Sequence, residues 1–236
     1  MHQITVVSLG AGPREQLTLG ALETLEKAKR LILRTGEIDA AACLRERGLQ
    51  FETLDELHEQ CEDFDDFIAA AAERVKRAAA RANAVYAVLD ATNDETVAAL
   101  LHAYPDHVRL GAGMPLYAPL LQAAGAQLPA RICSATSLTV PETQDGLLVT
   151  EMNTRQLAGE CKLKLAAWYG DEAEAMFFPP ARTAKREFIR IPLYELDRQP
   201  RYDHTAAVYL PPVELTRKER YDLWDLTRVL RRLRGE

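Results

Sequence analysis

Residues 4–25 read ITVVSLGAGPREQLTLGALETL. Ile4–Leu9 is a β-branched and apolar run, the mark of a strand buried on both faces of a parallel sheet. It gives way to Gly10-Ala11-Gly12-Pro13, where two residues lack a Cβ and the backbone can approach a ligand or take a positive φ. Leu17, Leu19, Leu22 and Leu25 follow at helical spacing. Strand, glycine-rich turn and helix form the opening unit of an open α/β sheet, whose ligands sit beyond the carboxyl ends of the strands. A small-molecule pocket is therefore expected to begin at Gly10.

Two other readings of these glycines stand beside that one. They can form a tight turn and nothing more. As a dinucleotide fingerprint they fit poorly: Glu15 holds the third glycine position, and the strand Arg30–Leu33 ends in Arg34 where ribose recognition wants an acid. An arginine there would suit the 2′-phosphate of an NADP-linked reductase.

Two further strand ends carry small or polar loops. The run Ala84-Val85-Tyr86-Ala87-Val88-Leu89 leads into Asp90-Ala91-Thr92-Asn93-Asp94 and then a helix over 95–103. A strand over 107–110 leads into Gly111-Ala112-Gly113-Met114-Pro115, again before a helix. Three such loops in one chain point to a shared crevice.

Elsewhere the pattern predicts a helix over 38–47 stopped by Gly48, a short strand over 49–53, and one long helix over 55–82. The acids at 59–66 read as the solvated start of that helix rather than as a metal site. After Gly125 a loop-rich connection, 126–141, leads to a strand at 147–150 and a helix over 154–168 with apolar face Leu157, Cys161, Leu165 and Trp168. Strands at 173–178, 188–191 and 205–210, with little helix between them, suggest a mixed or antiparallel sheet. The expected organisation is α/β throughout: an N-terminal domain over 1–120, a second domain over 121–213, and a terminal basic amphipathic helix over 214–236.

The 236 residues suffice for one large or two modest domains, and 47% apolar with 27% charged residues is an ordinary globular composition. A net charge of −6 argues against a general nucleic-acid partner. No apolar run reaches the ~20 residues needed to cross a bilayer. No signal peptide is read, and the expected location is cytoplasmic. The four cysteines show no C-x-x-C pair; Cys43 and Cys161 read as small buried hydrophobes. The five histidines show no ligand spacing, so no metal is expected.

Several segments together resemble a known family: VSLGAGPREQLTLGALETLEKA, LRTG (33–36), LLVTEMNTRQLAGECKLKL (147–165), IPLYELDR (191–198) and VYLPP (208–212), in that order. They are similar to the N-terminal, tetrapyrrole-methylase-like half of bacterial proteins whose C-terminal half is a MazG-type nucleoside triphosphate pyrophosphohydrolase. The closing LWDLTRVLRRLRG resembles the first helix of that second half. The resemblance implies the class III methyltransferase fold: two αβα domains with S-adenosylmethionine between them, S-adenosylhomocysteine as product, and a homodimer. Carried over by position, the cofactor contacts would be Gly10, Ala11 and Gly12; Asp90, Ala91, Thr92 and Asp94; Gly113 and Met114; Met152; and Leu210 and Pro211.

The chain departs from that family where Leu89-Asp90-Ala91-Thr92 replaces a glycine-acid/His-proline element, and where Pro115-Leu116 follows the glycine-methionine pair. Two functions follow. One is methyl transfer to a tetrapyrrole or another small acceptor, with Glu151 as the candidate base and Arg34, Arg155 and Lys162 as candidate partners of substrate carboxylates. The other is a non-catalytic dimerisation or regulatory domain of a fused or associated MazG-type pyrophosphohydrolase.

Overall fold

The computed structural model describes residues 1–10, 13–126, 129–139, 144–180 and 188–213. The terminal segment 214–236 lies outside them, as do Ala11 and Gly12 of the first loop.

The first sheet is wholly parallel, with strands β1 (Ile4–Leu9), β2 (Arg30–Leu33), β3 (Glu52–Thr53), β4 (Ala84–Val88) and β5 (Val108–Met114) in the order β3-β2-β4-β1-β5. Helices α1 (Leu19–Glu26) and α2 (Asp39–Glu46) bury Ala21, Leu25, Ala41 and Leu44 against Val7, Leu33 and Ala87 on one face. On the other, α4 (Phe64–Ala79) and α5 (Glu95–Ala103) bury Phe67, Val75, Val97 and Leu100 against Ile4, Val6 and Tyr86. Because both faces are covered, β1 and β4 carry unbroken apolar runs instead of alternating ones.

The second sheet, β6 (Ala130–Ser134), β7 (Gly146–Thr150), β8 (Glu174–Phe178), β9 (Ile189–Pro192) and β10 (Ala207–Leu210), is mixed, in the order β6-β7-β10-β8-β9. Only the β6–β7 pair is parallel. Helix α7 (Arg155–Tyr169) and a 3-10 helix, Leu193–Arg198, cover one face; α6 (Tyr117–Ala123) covers the other, with Leu120 and Leu121 against Leu148, Met176 and Tyr209.

Several expectations are corrected. The long helix over 55–82 is two helices, α3 (Asp55–Gln60) and α4, because the Asp63 side chain accepts the Asp66 N–H and starts a new helix inside the periodic pattern. The strand over 49–53 shortens to β3, and the connection over 126–141 contains β6, an edge strand whose exposed Arg131 hid it. The helix after the first loop begins at Leu19, capped by Thr18, and this first-turn leucine is 80% exposed instead of lying on the apolar face. Trp168 likewise faces out, and Cys43 is only half-buried, whereas Cys161 is buried.

The third loop is the largest change. Residues 111–114 continue β5, pairing Ser8 with Gly113 and Leu9 with Met114 across a bulge opposite Val7. The glycines are what permit it: a Cβ on Gly113, at φ +157°, would lie 2.2 Å from the Ser8 carbonyl oxygen.

Candidate functional site

All five strands of the first sheet run the same way, so their carboxyl ends share one edge, and β1 lies there between β4 and β5. Gly10, at φ +75°, donates its N–H to the Leu89 carbonyl. A Cβ there would lie 2.9 Å from Gln16 Oε1 and 3.6 Å from the Met114 carbonyl, so the first turn sits close to the end of β5. Ser8 Oγ accepts the Ala91 N–H at 2.9 Å, stitching the turn after β4 to β1.

Asp90 ties this edge together. Its Oδ1 accepts from the Thr92 N–H and Oγ1, and its Oδ2 accepts the Leu116 N–H at 3.1 Å, where the chain passes toward α6. The structure thus brings Gly10, Asp90, Ala91, Thr92, Gly113 and Met114 into one rim. Asp90 is the one charged side chain among them, and main-chain groups, short side chains and a half-buried thioether make up the rest. Those residue types suit a nucleoside sulfonium: a negative charge is present and no cation stands among them.

Other residues carried over by position are placed differently. Met152 and Leu210 are both fully buried in the second lobe's core. They lie toward opposite ends of one strand pair, since Met152 N–H donates to the Ala206 carbonyl while Leu210 pairs with Leu147. Pro211 follows Leu210 at that far end. Asp94 caps α5, its Oδ1 accepting the Val97 N–H, and its Oδ2 accepts from Arg34 Nη1 at 2.8 Å.

Arg34, a candidate partner of substrate carboxylates or of a 2′-phosphate, is instead committed to that pair. Its side chain is 4% exposed and lies against the rings of Phe64 and Phe67, with Cζ 5.7 and 5.2 Å from their centroids. Burial opposes the charge, but Asp94, with Tyr86 and Glu151 adding, outweighs it and holds the guanidinium pKa above its ordinary value. So enclosed, Arg34 cannot meet the phosphate of a dinucleotide. Lys162 is also engaged, donating to Asp197 Oδ2 at 2.6 Å. Arg155 is exposed at the first position of α7.

Glu151 follows β7 and faces the same cluster. It is 7% exposed, its Oε2 has no hydrogen-bond partner, and it holds φ +58° without being a glycine. Burial pushes its carboxyl up to about 7 against the pull of Arg34, with Asp94 adding to the rise. Nearby contacts join the lobes: Asn93 Nδ2 donates to Thr150 Oγ1 at 2.9 Å, and Thr136 Oγ1 donates to Glu95 Oε1 at 3.1 Å. Sequence reasoning missed the Arg34–Asp94 pair, which spans 60 residues of chain. Among the described residues, no three His, Cys, Asp or Glu side chains are placed to hold a metal, and no helix is long and apolar enough to cross a membrane.

Two lobes, a parallel sheet followed by a mixed one, give this chain the class III methyltransferase fold. Uroporphyrin-III-C-methyltransferase from Thermus thermophilus superposes with a TM-score of 0.61 at 14% identity, over 89% of this chain and 92% of that one. The cobalamin-biosynthesis precorrin-6Y methylase from Archaeoglobus fulgidus gives 0.60 at 12% identity, over 90% and 99%. Diphthine synthase gives 0.57 at 14% identity, over 94% and 95%. By sequence, the chain is 27% identical to the uncharacterized protein YabN of Bacillus subtilis (strain 168) over an alignment of 245 positions that covers 99% of this chain. It spans about half the length of that relative, 50%. No family model matches the chain.

Proposed function

We propose that this chain is an S-adenosylmethionine-dependent methyltransferase, acting on a tetrapyrrole or another small acceptor, with Glu151 as the base. The observation that carries the reading is the rim of Gly10, Asp90–Thr92, Gly113 and Met114 on a fold shared with uroporphyrin-III-C-methyltransferase and a precorrin-6Y methylase. Bound there, the sulfonium supplies an already activated methyl group. The chain then has to align the acceptor and exclude water. Asp90 supplies negative charge near the sulfonium, held by its own hydrogen bonds to the Thr92 and Leu116 backbone. Glu151, with an unpartnered Oε2 and a carboxyl at about 7, is suited to take a proton from the acceptor as it reacts. Titration calorimetry with S-adenosylhomocysteine tests the reading. Saturable heat that weakens in Gly10→Val supports it, and no heat at near-millimolar ligand refutes it.

A second reading is a non-catalytic dimerising or regulatory module of a MazG-type pyrophosphohydrolase, with a homodimer as its working form. The absence of the family's glycine and proline around Asp90 favours it. Binding of S-adenosylhomocysteine together with methyl transfer by this chain alone would exclude it.

A further inference from the structure

A cavity of about 550 Å³ opens at the edge of the second sheet where β7 and β8 end and β10 begins. That volume is in the range of small-metabolite pockets. Its walls carry two guanidinium groups, Arg155 at the start of α7 and Arg201 in the segment before β10. Neither makes an ion pair with a described residue. Among the described residues, the one carboxyl in the wall, Asp203, has its Oδ1 engaged by the Thr205 N–H and hydroxyl.

The walls are held in place. Tyr202 OH donates to the Leu196 carbonyl at 2.6 Å and accepts the Gln199 N–H at 2.8 Å, which fixes the segment carrying Arg201. Gln199 is itself buried, with Nε2 donating to the Glu195 carbonyl. On the facing wall, Thr154 Oγ1 accepts the Leu157 N–H, and no acid occupies the first turn of α7 to neutralise its end. Asn153 also lines the cavity, and its Oδ1 is buried without a hydrogen-bond partner.

We propose that this cavity is a binding site for a small oxyanionic metabolite. Arg155 and Arg201 clamp the anionic group. A phosphate ester and a hydroxycarboxylate share that chemistry, since guanidinium forks match both. Two guanidinium groups against the single carboxylate of Asp203 leave the described wall with a net positive charge, which an anionic ligand would balance and a neutral one would not. The inference does not rest on the methyltransferase reading.

Calorimetry on the full chain with ribose 5-phosphate, citrate, inorganic phosphate and neutral ribose tests it. At least one anion is expected to bind while ribose does not. Arg155→Ala and Arg201→Ala are each expected to weaken that binding by about tenfold, as loss of a charge-assisted contact does. Both side chains are exposed, so circular dichroism of the variants should match the parent. Binding of the phosphates alone identifies a phosphate site, and of citrate alone a carboxylate site. No heat from any anion at millimolar concentration, equal binding of ribose, or full affinity in both variants overturns the proposal. S-adenosylhomocysteine titrated into the same variants keeps this outcome separate from that of the proposed activity.

Discussion

Replacing Asp94 by Asn separates two roles that one carboxyl performs. Asn caps a helix about as well as Asp, so the Val97 N–H keeps its acceptor while the charge opposite Arg34 is lost. Arg34 then stays charged and enclosed, with Nη2 already unpartnered. Removing one member of a buried pair costs about 3–5 kcal/mol, and Asp94→Ala should cost about 1 kcal/mol more through loss of the cap. Urea denaturation measures both, read as a shift of midpoint at unchanged slope. Loss of the Asp94 charge also lowers the Glu151 pKa from its raised value, so Asp94→Asn in the Glu151→Gln background is the control that keeps Glu151 from standing in for Asp94. Arg34→Met combined with Asp94→Asn should recover much of the loss, because a thioether fits between Phe64 and Phe67. If Asp94→Asn lies within about 0.5 kcal/mol of the parent, the pair does not contribute as argued. A double variant no more stable than the single would refute the orphan-charge explanation.

Other expectations follow from single contacts. The Glu151 pKa is raised to about 7, so the folded state holds a proton that the unfolded chain releases above about pH 4.3; stability should fall as pH rises between those values, and Glu151→Gln should flatten that fall in a melting series. If Glu151 is the base, methyl transfer should rise as pH passes through about 7 and lose this dependence in the same variant. Gly113→Ala forces a Cβ within 2.2 Å of the Ser8 carbonyl and should destabilise by at least about 2 kcal/mol; an unchanged melting temperature would contradict the β1–β5 register. Ser8→Ala orphans the Ala91 N–H, so about 1–2 kcal/mol of stability should be lost and affinity for S-adenosylhomocysteine should drop, by denaturation and calorimetry respectively.

The parallel core was legible because strands covered on both faces carry continuous apolar runs, as in 4–9 and 84–88. The same logic failed at edges. In β6, an exposed Arg131 and Ile132 break the run, and in β5 three small residues continue a strand through a bulge while looking like a turn. Leucine spacing misplaced Leu19 because the cap at Thr18 sets the phase of α1. At the site, residues that close a turn through the backbone were visible locally, and Gly10 and Asp90 are such residues. Contacts between residues far apart in the chain were not: no local pattern couples Arg34 to Asp94 within the first lobe, or announces that Glu151 takes a left-handed backbone.

The Asp90 side chain has a mechanical consequence. One of its oxygens shapes the turn after β4, and the other grips the backbone where the chain leaves the first sheet for the second. A rotation about its χ angles therefore cannot reshape that turn without also letting go of the crossover. The two lobes share a latch at the candidate crevice itself, and whatever pulls on the turn pulls on the joint between them.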